Sequence, residues 1–232
     1  KILNPEKTIL MPNLQADCSL DLGCPPEEFR LFCENNSDRE VVVYANTSAH
    51  VKAKADWMVT SGTAVDVVNH LHKKGKKIIW APDKYLGDFV QRQTGADMLM
   101  WNGSCIVHEA FSFERIVALA KTYPNAKFIA HPESESQVLE IADYIGSTSG
   151  LLTYVQENSA TEFIVATEAG ILYEMEKRCP EKTFIPAPVE DETCACSECA
   201  FMKLNTLEKL YLCLEYENPE ITLSKALVEK AK

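Results

Sequence analysis

An internal repeat with a spacing of about 87 residues is the feature that most constrains the fold of this 232-residue chain. The aligned segments are residues 41–46 with 127–133, 60–62 with 148–150, and 81–83 with 166–168. The first alignment places Tyr44 opposite His131 and Asn46 opposite Glu133, each pair 87 positions apart. Because self-similarity at a fixed period is the mark of a repeated structural unit, we expect copies of one unit along the chain.

Each copy contains β-rich apolar runs that alternate with amphipathic stretches. The runs are "VVVYANT", "KKIIWAPD", "ADMLMWNG", "AKFIAHPE", "TEFIVATE" and "KTFIPAP". Short apolar runs separated by helical patterns are typical of parallel α/β layers, in which helices cover both faces of a sheet. The segments "GDFVQRQTG" and "ESQVLEIADYI" are typical of the helices between the strands.

Each copy contains three predicted strands in chain order, and a segment near the start of the sequence resembles the third of them. "DMLMW" (97–101) and "TFIPA" (183–187) are the third strands, and "EKTILMPN" (Glu6–Asn13) closely matches "EKTFIPAP" (Glu181–Pro188). Three third strands but only two first and second strands predict a chain that begins inside a first repeat. We therefore expect an α/β fold of three pseudo-threefold-related, three-layer αβα repeats with small parallel sheets, the first of them incomplete.

The repeat also predicts the domain boundaries. Residues 1–25 would end the incomplete first αβα domain, residues 26–112 would form the second, and residues 113–199 would form the third. Residues 200–232 are expected to be a helical segment that packs on the first domain.

Cysteines follow the third strands. Cys18 and Cys105 follow two of them, and Cys194, Cys196 and Cys199 follow the other. Ligands of parallel α/β sheets bind beyond the carboxyl ends of the strands, so three thiolates are expected to meet at one point. Such a set fits zinc or a [4Fe-4S] cluster with one open position, and an open iron can act as a Lewis acid.

The other cysteine patterns give weaker indications of a metal site or of disulfides. "CACSEC" has the look of a zinc knuckle but lacks a matching second pair of ligands. An odd number of cysteines, nine, and the lack of an export-segment pattern argue against a disulfide scaffold. Four of them are interpreted as buried or incidental: Cys24, Cys33, Cys179 and Cys213.

Polar residues stand where a substrate would meet the same strand ends. Those that follow the first strands are Tyr44, Asn46, His131 and Glu133, and those that open helices after short turns are Ser61, Ser147 and Thr148. Free N–H groups at helix N-termini favour carboxylates and phosphate, although each Ser or Thr taken alone is also an ordinary helix cap. His108 follows Cys105 by three residues and can move protons near neutral pH.

Other titratable residues are assigned structural places. Asp83 and Glu168 are equivalent in the repeat and are expected to start helices. The pattern around His50, His70 and His72 indicates solvent-exposed helical positions.

Charge and hydropathy exclude several classes of protein. A net charge of −11 without a basic stripe argues against nucleic-acid binding, and the one basic run, "KKGKK", is expected to end a helix and lead into a strand. No apolar run reaches the ~18 residues of a membrane span, and the first residues lack a signal-peptide pattern. We therefore expect a cytoplasmic protein with no membrane partner.

A series of motifs resembles one known family. The motifs are "YANTSA", "WNGSCIVHE", "AHPES", "GSTSG", "VATEAGILYEM" and "CSECAFMKLNTLEKL", and they span essentially the whole chain. They look like quinolinate synthase, the iron-sulfur enzyme of de novo NAD biosynthesis. The resemblance implies three pseudo-symmetric α/β domains around a central [4Fe-4S] cluster. It also implies a reaction in which iminoaspartate and dihydroxyacetone phosphate condense and cyclise to quinolinate, with loss of phosphate and water.

The resemblance further implies roles for individual residues. The cluster ligands would be Cys18, Cys105 and Cys199, with Cys194 as the competitor for the third place because it lies nearer the strict repeat spacing. The residues matching substrate-contacting positions are Tyr44, Asn46, His131 and Glu133, and those matching carboxylate- or phosphate-holding positions are Ser61, Ser147 and Thr148. Glu133 and Tyr44 would move protons, His131 would hold an anionic group, and His108 matches the family's His after the second ligand. L-aspartate oxidase or aspartate dehydrogenase would be a functional partner.

Two other functions remain open, and the sequence differs from the family's pattern in one respect. The chain could be a non-catalytic iron-sulfur or thiol redox-sensing module, with Cys194 and Cys196 as a regulatory thiol pair, or a plain α/β ligand-binding protein without metal. The departure is that the family's first repeat opens with a segment carrying another His, a Tyr and a Ser of the pocket, which this sequence does not contain. The 232 residues alone are therefore not expected to be fully active.

Overall fold

The computed structural model describes residues 1–190 and 197–232 as an α/β protein with two small parallel sheets flanked by helices. The strands are β1 Glu40–Tyr44, β2 Trp57–Val59, β3 Ile78–Ala81, β4 Met98–Met100, β5 Lys127–Ala130, β6 Tyr144–Ile145, β7 Glu162–Ala166 and β8 Thr183–Pro186. The α-helices are α1 Ser19–Leu22, α2 Pro26–Glu34, α3 Ala49–Lys52, α4 Ala64–Lys73, α5 Lys84–Thr94, α6 Phe113–Thr122, α7 Ser136–Glu140, α8 Thr148–Glu157, α9 Gly170–Arg178, α10 Leu207–Tyr216 and α11 Lys225–Ala231. Residues Met202–Leu204 form a short 3-10 helix.

The two sheets have the same topology. Their strand orders are β2-β1-β3-β4 and β6-β5-β7-β8, and every neighbouring pair is parallel. Val42 pairs with Trp80 in the first sheet, and the repeat-equivalent Ile129 pairs with Val165 in the second. The repeated unit expected from the sequence is therefore present in two copies among the described residues, while the threefold arrangement stays a prediction.

Side chains alternate between the faces of each sheet, so helices cover both faces. In the first sheet, Val41 and Val43 pack with Phe29 of α2 on one face. On the opposite face, Val42 and Trp80 pack with residues of α4 and α5. This alternation follows from the two-residue period of a strand and produces the layers of helix, sheet and helix.

In each unit, one aspartate hydrogen-bonds the backbone of the neighbouring strand just before the edge strand β2 or β6 begins. Asp56 accepts a hydrogen bond from the N–H of Val41 at 2.8 Å, and Asp143 accepts one from the N–H of Phe128 at 2.8 Å. Both aspartates also donate their own N–H to the same partner's carbonyl. At the start of β2 and β6, these two hydrogen bonds take the place of the backbone–backbone hydrogen bonds of the sheet.

Two of the four edge strands in the described residues, β2 and β6, were missed in the sequence. β2 is Trp57–Val59, of which only Val59 is buried, and β6 has only two residues, Tyr144–Ile145, so neither stands out as a buried apolar run. The helix expected over "ESQVLEIADYI" is correspondingly wrong at its end: α7 stops at Glu140, and the last two residues of that segment form β6. Pairing with β5 through Asp143 outweighs the local helical pattern there.

The segment Glu6–Asn13 is not a strand, contrary to the expectation from its echo of Glu181–Pro188. Its Leu10 forms an isolated antiparallel bridge with Glu220. The carbonyl of Ile9 accepts from the N–H of Ile221 at 2.8 Å. A strand requires continuous pairing, and the described chain offers this segment only a short stretch of partner backbone.

Two sequence interpretations near the helix ends are confirmed. α4 ends at Lys73, Gly75 adopts a positive φ of 69°, and β3 begins at Ile78, so the basic run does end a helix and lead into a strand. Asp83 caps α5 by accepting the N–H of Leu86 at 2.7 Å. Among the described residues, no helix is both long enough and apolar enough to cross a bilayer.

Candidate active site

A cavity of about 750 Å³ lies beyond the carboxyl ends of strands from both sheets. Parallel strands all end at the same edge, so residues that follow different strands come together there. The predicted site residues that line the cavity are Cys18, Tyr44, Asn46, Cys105, His108, His131, Glu133, Thr148 and Cys199. Ser61 and Ser147 are not among the lining residues, although Ser61 contacts one of them.

Three thiols from three separate segments reach this cavity. Cys18 precedes α1, Cys105 follows β4, and Cys199 lies in the segment after β8. All three are half-buried and free of disulfides. Burial raises the pKa of the Cys18 thiol and raises that of Cys105 to about 12, and the negative charge of Glu133 acts in the same direction on both. A bound cation would reverse that effect by favouring the thiolates.

Repeat-equivalent carboxylates hold the backbone of two of these cysteines. Asp83 Oδ2 accepts the N–H of Cys105 at 3.2 Å, and Glu168 Oε1 accepts the N–H of Cys199 at 3.2 Å. The second oxygen of each carboxylate accepts an N–H at the start of the following helix. The expected helix-starting positions are thus confirmed, and the link to the cysteines is a second contact that the sequence did not indicate.

The Cys18 and Cys105 segments are also joined directly. The hydroxyl of Ser19 accepts the N–H of Ile106 at 3.2 Å and donates to the carbonyl of Ser104 at 3.4 Å. The N–H of Cys18 itself is bound by the carboxylate of Asp17 at 2.8 Å. Backbone hydrogen bonds therefore define the position of each of the three cysteines.

A buried His-Glu-His group forms the floor of the cavity. His108 Nδ1 lies 3.1 Å from Glu133 Oε2, and His131 Nδ1 lies 3.8 Å from Glu133 Oε1. The two imidazole rings stack with centroids 4.8 Å apart. His108, His131 and Glu133 are each no more than 6% exposed. His108 Nδ1 and Glu133 Oε2 are close to each other but are not aligned as a hydrogen bond.

Thr167 belongs to this group and was missed in the sequence. Its hydroxyl lies 3.0 Å from His108 Nε2, and its side chain is buried. The repeat gives no signal here, because the equivalent position in the first unit is Pro82. The available signal was a polar residue directly after the buried strand β7, inside the motif "VATEAGILYEM".

The protonation of the floor follows from burial and neighbouring charge. Burial lowers the pKa of His131 to about 4, so its imidazole is neutral near pH 7. Burial alone would raise the pKa of Glu133, but the contact with His108 and the nearby His131 lower it, so the carboxylate is ionised. Burial and the charge of Glu133 raise the pKa of Tyr44, so its hydroxyl stays protonated.

The hydroxyl-rich turns of the two units face each other beside this floor. His131 Nε2 lies 3.3 Å from the hydroxyl of Ser61. Ser147 caps α8 by accepting the N–H of Gly150 at 3.2 Å, and Thr148 is the first residue of that helix. A β-carbon added at Gly62 would lie 3.5 Å from the Ser147 hydroxyl, so the two turns are close together. Asn46 lines the cavity and is exposed to it.

The cavity wall is acidic. Five of its lining residues are carboxylic acids: Asp17, Asp21, Glu133, Glu168 and Glu174. Among the described lining residues, none is Lys or Arg. An anionic ligand would therefore be held by N–H and hydroxyl groups, or by a bound cation, rather than by basic side chains.

The remaining sequence expectations concern cysteines and histidines away from the cavity. Cys24, Cys179 and Cys213 are buried, Cys33 is half-buried, and His50, His70 and His72 are exposed, as expected. Cys194, the competitor of Cys199, and Cys196 lie outside the described residues.

Comparison with protein families gives one match that spans the chain. The family model described as "NadA: Quinolinate synthetase A protein" matches residues 1–232.

Proposed function

This chain belongs to the quinolinate synthetase A family, and from that premise we propose that it condenses iminoaspartate with dihydroxyacetone phosphate and cyclises the product to quinolinate, with loss of phosphate and water. The observation that carries the proposal is one cavity in which three free thiols meet a buried His-Glu-His group. A structural metal site would not require the buried His-Glu-His group, and a plain ligand-binding pocket would not require the three free thiols.

The three thiols fit a [4Fe-4S] cluster with one open iron. Cys18, Cys105 and Cys199 come from separate segments, are free, and are held by backbone hydrogen bonds of their own. Three thiolate ligands leave the fourth position to a substrate. When bound, such a cluster supplies a Lewis acid that favours loss of water from hydroxyl-bearing carbon. The chain's own residues would bind the substrates and move the protons.

Glu133 and Tyr44 are the proposed proton-transfer pair. The Glu133 carboxylate is ionised and can accept a proton, whereas the Tyr44 hydroxyl is protonated and can donate one. Both substrates are anionic, and negative charge brought next to a buried carboxylate raises its pKa. Substrate binding would thereby make Glu133 a stronger base than it is in the free protein. His108, whose Nδ1 lies 3.1 Å from Glu133 Oε2 and whose Nε2 is hydrogen-bonded to Thr167, would hold the carboxylate in position.

The anionic groups of the substrates would be bound by neutral donors. His131 is neutral, so it would donate an N–H to a carboxylate or phosphate rather than contribute a charge. Thr148 and the N-terminus of α8 offer further donors at the cavity, with Ser147 and Ser61 beside them, and Asn46 contributes an amide. This arrangement fits an acidic cavity without described basic side chains, where specificity depends on hydrogen-bond geometry. L-aspartate oxidase or aspartate dehydrogenase would supply the unstable imine.

Exchange of Glu133 for Gln tests the proposal. With full-length protein purified anaerobically, we expect Glu133→Gln to abolish quinolinate formation while the visible absorbance of the cluster and about four iron and four sulfide per chain are retained. Glu157→Gln, at the exposed end of α8, is the matched control and should leave both unchanged. Activity that survives Glu133→Gln would refute the acid-base assignment. A wild-type protein with a cluster but no product would favour a redox sensor.

A further inference from the structure

Cys105, His108 and Glu133 bring three possible ligand atoms, one sulfur, one nitrogen and one oxygen, within 4.8 Å of one another. We infer that these three side chains form a site for a single divalent transition-metal ion of the zinc type, which has only Cys105 in common with the three-thiol site. This inference needs neither the proposed reaction nor the cluster.

The three donors match the ligand preferences of such an ion. Zinc binds thiolate, imidazole and carboxylate, and sites with three protein ligands keep a fourth position for water. With bond lengths of roughly 2.0–2.3 Å, tetrahedral donors lie about 3.3–3.6 Å apart. The observed group lies within 4.8 Å before any ion is bound, and His108 Nδ1 and Glu133 Oε2 are already 3.1 Å apart.

The imidazole of His108 has the arrangement of a metal ligand. Its Nδ1 faces Glu133, is buried, and has no hydrogen-bond partner. Its Nε2 is paired with the hydroxyl of Thr167 at 3.0 Å. Metal-bound histidines use one nitrogen for the ion and bond the other to a polar group that fixes the ring. A buried imidazole nitrogen without an aligned hydrogen bond is costly, and an ion between Nδ1 and the Glu133 carboxylate would coordinate both groups.

The fold brings the ligands from both repeat units. Cys105 and His108 share one turn, in which the carbonyl of Cys105 accepts the N–H of Glu109 at 2.9 Å. Glu133 follows β5 of the other sheet. An ion bound by all three would therefore link the two units and stabilise the protein against separation of its halves.

The site shares Cys105 with the proposed cluster, so the two occupants would exclude each other; this clause alone rests on the proposed function. Protein without its cluster would accept a divalent ion at Cys105, His108 and Glu133, with release of the Cys105 thiol proton. Zinc held there would block cluster assembly until it was removed.

The first test needs no variant. Full-length protein, stripped of metal by a chelator under anaerobic conditions, is titrated with Zn²⁺, and with Co²⁺ as a spectroscopic probe. We expect one ion per chain, with a single sulfur and two or more nitrogen or oxygen neighbours by X-ray absorption. Three sulfur neighbours, or no binding, would overturn the inference.

Variants separate this site from the cluster. His108→Gln should weaken Zn²⁺ binding by more than the roughly 10- to 100-fold loss typical of a lost second-shell partner, and still take up iron through its three cysteines. Cys18→Ser and Cys199→Ser should retain Zn²⁺ affinity within about twofold while losing the cluster. Equal loss of Zn²⁺ in all three variants would assign the ion to the thiols and overturn the inference.

Two controls complete the design. A Cys194→Ser/Cys196→Ser double variant should bind Zn²⁺ as the parent does, and loss of binding there would also overturn the inference. Thermal unfolding of each metal-free variant shows whether it is folded. Failure of the proposed reaction would be seen as absent quinolinate in cluster-loaded parent protein, an outcome independent of the Zn²⁺ titration.

Discussion

Glu168 accepts the backbone N–H of Cys199 through its Oε1 at 3.2 Å, while its Oε2 accepts the N–H of Gly170 at 2.8 Å. One carboxylate therefore ties the segment that carries a proposed cluster ligand to the start of α9. The equivalent Asp83 ties Cys105 to the start of α5 in the same way. The same device at two equivalent positions supports Cys199 as the third ligand and yields the first prediction.

Glu168→Ala should lower the cluster content after anaerobic reconstitution, because the Cys199 segment loses its link to α9. Glu168→Gln keeps one oxygen acceptor and can retain only one of the two hydrogen bonds, so its iron content should lie between those of the parent and the Ala variant. The loss of two hydrogen bonds should also lower the free energy of unfolding by roughly 1–3 kcal/mol in the Ala variant. Iron and sulfide assays and chemical denaturation provide the two measurements. Unchanged iron content in Glu168→Ala would show that Cys199 needs no such anchor.

Thr167→Val should impair proton transfer without abolishing binding. The change removes the hydroxyl that lies 3.0 Å from His108 Nε2 and leaves that nitrogen unsatisfied, at a cost of roughly 1–3 kcal/mol. We expect a lower kcat with little change in KM, since His108 positions Glu133 rather than the substrate. Thr167→Ser keeps the hydroxyl and should restore most of the rate. A rise in KM alone would instead place Thr167 in substrate binding.

Gly87→Ala should destabilise the protein although it improves helix propensity in α5. An added β-carbon would lie 2.6 Å from Trp80 Cδ1, and the Trp80 ring is fully buried and donates its Nε1–H to the carbonyl of Asp83 at 2.8 Å. Overpacking of this kind costs roughly 1–3 kcal/mol, against a propensity gain of about 1 kcal/mol. Thermal unfolding measures the sign, and exposed Gln93→Ala on the same helix is the control. Stabilisation by Gly87→Ala would refute this packing argument.

Metal-free protein should lose stability as the pH falls from about 6.5 to about 4. Burial lowers the pKa of His131 from 6.5 to about 4, so the unfolded chain binds a proton at this position in that range while the folded chain does not. Stability therefore rises with pH across the window, by up to about 3 kcal/mol. His131→Gln should flatten the dependence measured by urea denaturation between pH 5 and 7, whereas exposed His72→Gln should not. Equal slopes in both variants would contradict the neutral, buried state of His131.

Much of the fold could be predicted from hydrophobic periodicity and the repeat. The strands β1, β3, β4, β5, β7 and β8 were recognisable because each lies in an apolar run with buried residues. The alignment of Tyr44 with His131 correctly identified β1 and β5 as equivalent strands of the two sheets. The positions of Cys105, Cys199 and Glu133 beside one cavity followed from the rule that parallel strands end at one edge. The position of Cys18 did not, because the segment before it is not a strand.

Other features could not be predicted because they depend on contacts across the chain. β6 has two residues and exists through pairing with β5, so local pattern indicated helix instead. Glu6–Asn13 has the composition of a strand but meets only Glu220 and its neighbours. Thr167 stands opposite Pro82 in the repeat, so nothing in the alignment marked it as a partner of His108.

By itself, the sequence determined which residues are apolar at which period, where polar side chains follow strands, and which positions are equivalent. Those properties are local, and they suffice for the α/β layers and for most of the residues that line the cavity. Only the tertiary structure decided that His108 Nδ1 faces Glu133 without a hydrogen-bond partner, and that Asp83 and Glu168 hold the backbone of Cys105 and Cys199. Distances and burial set both protonation and metal affinity, and they arise only when distant segments pack together.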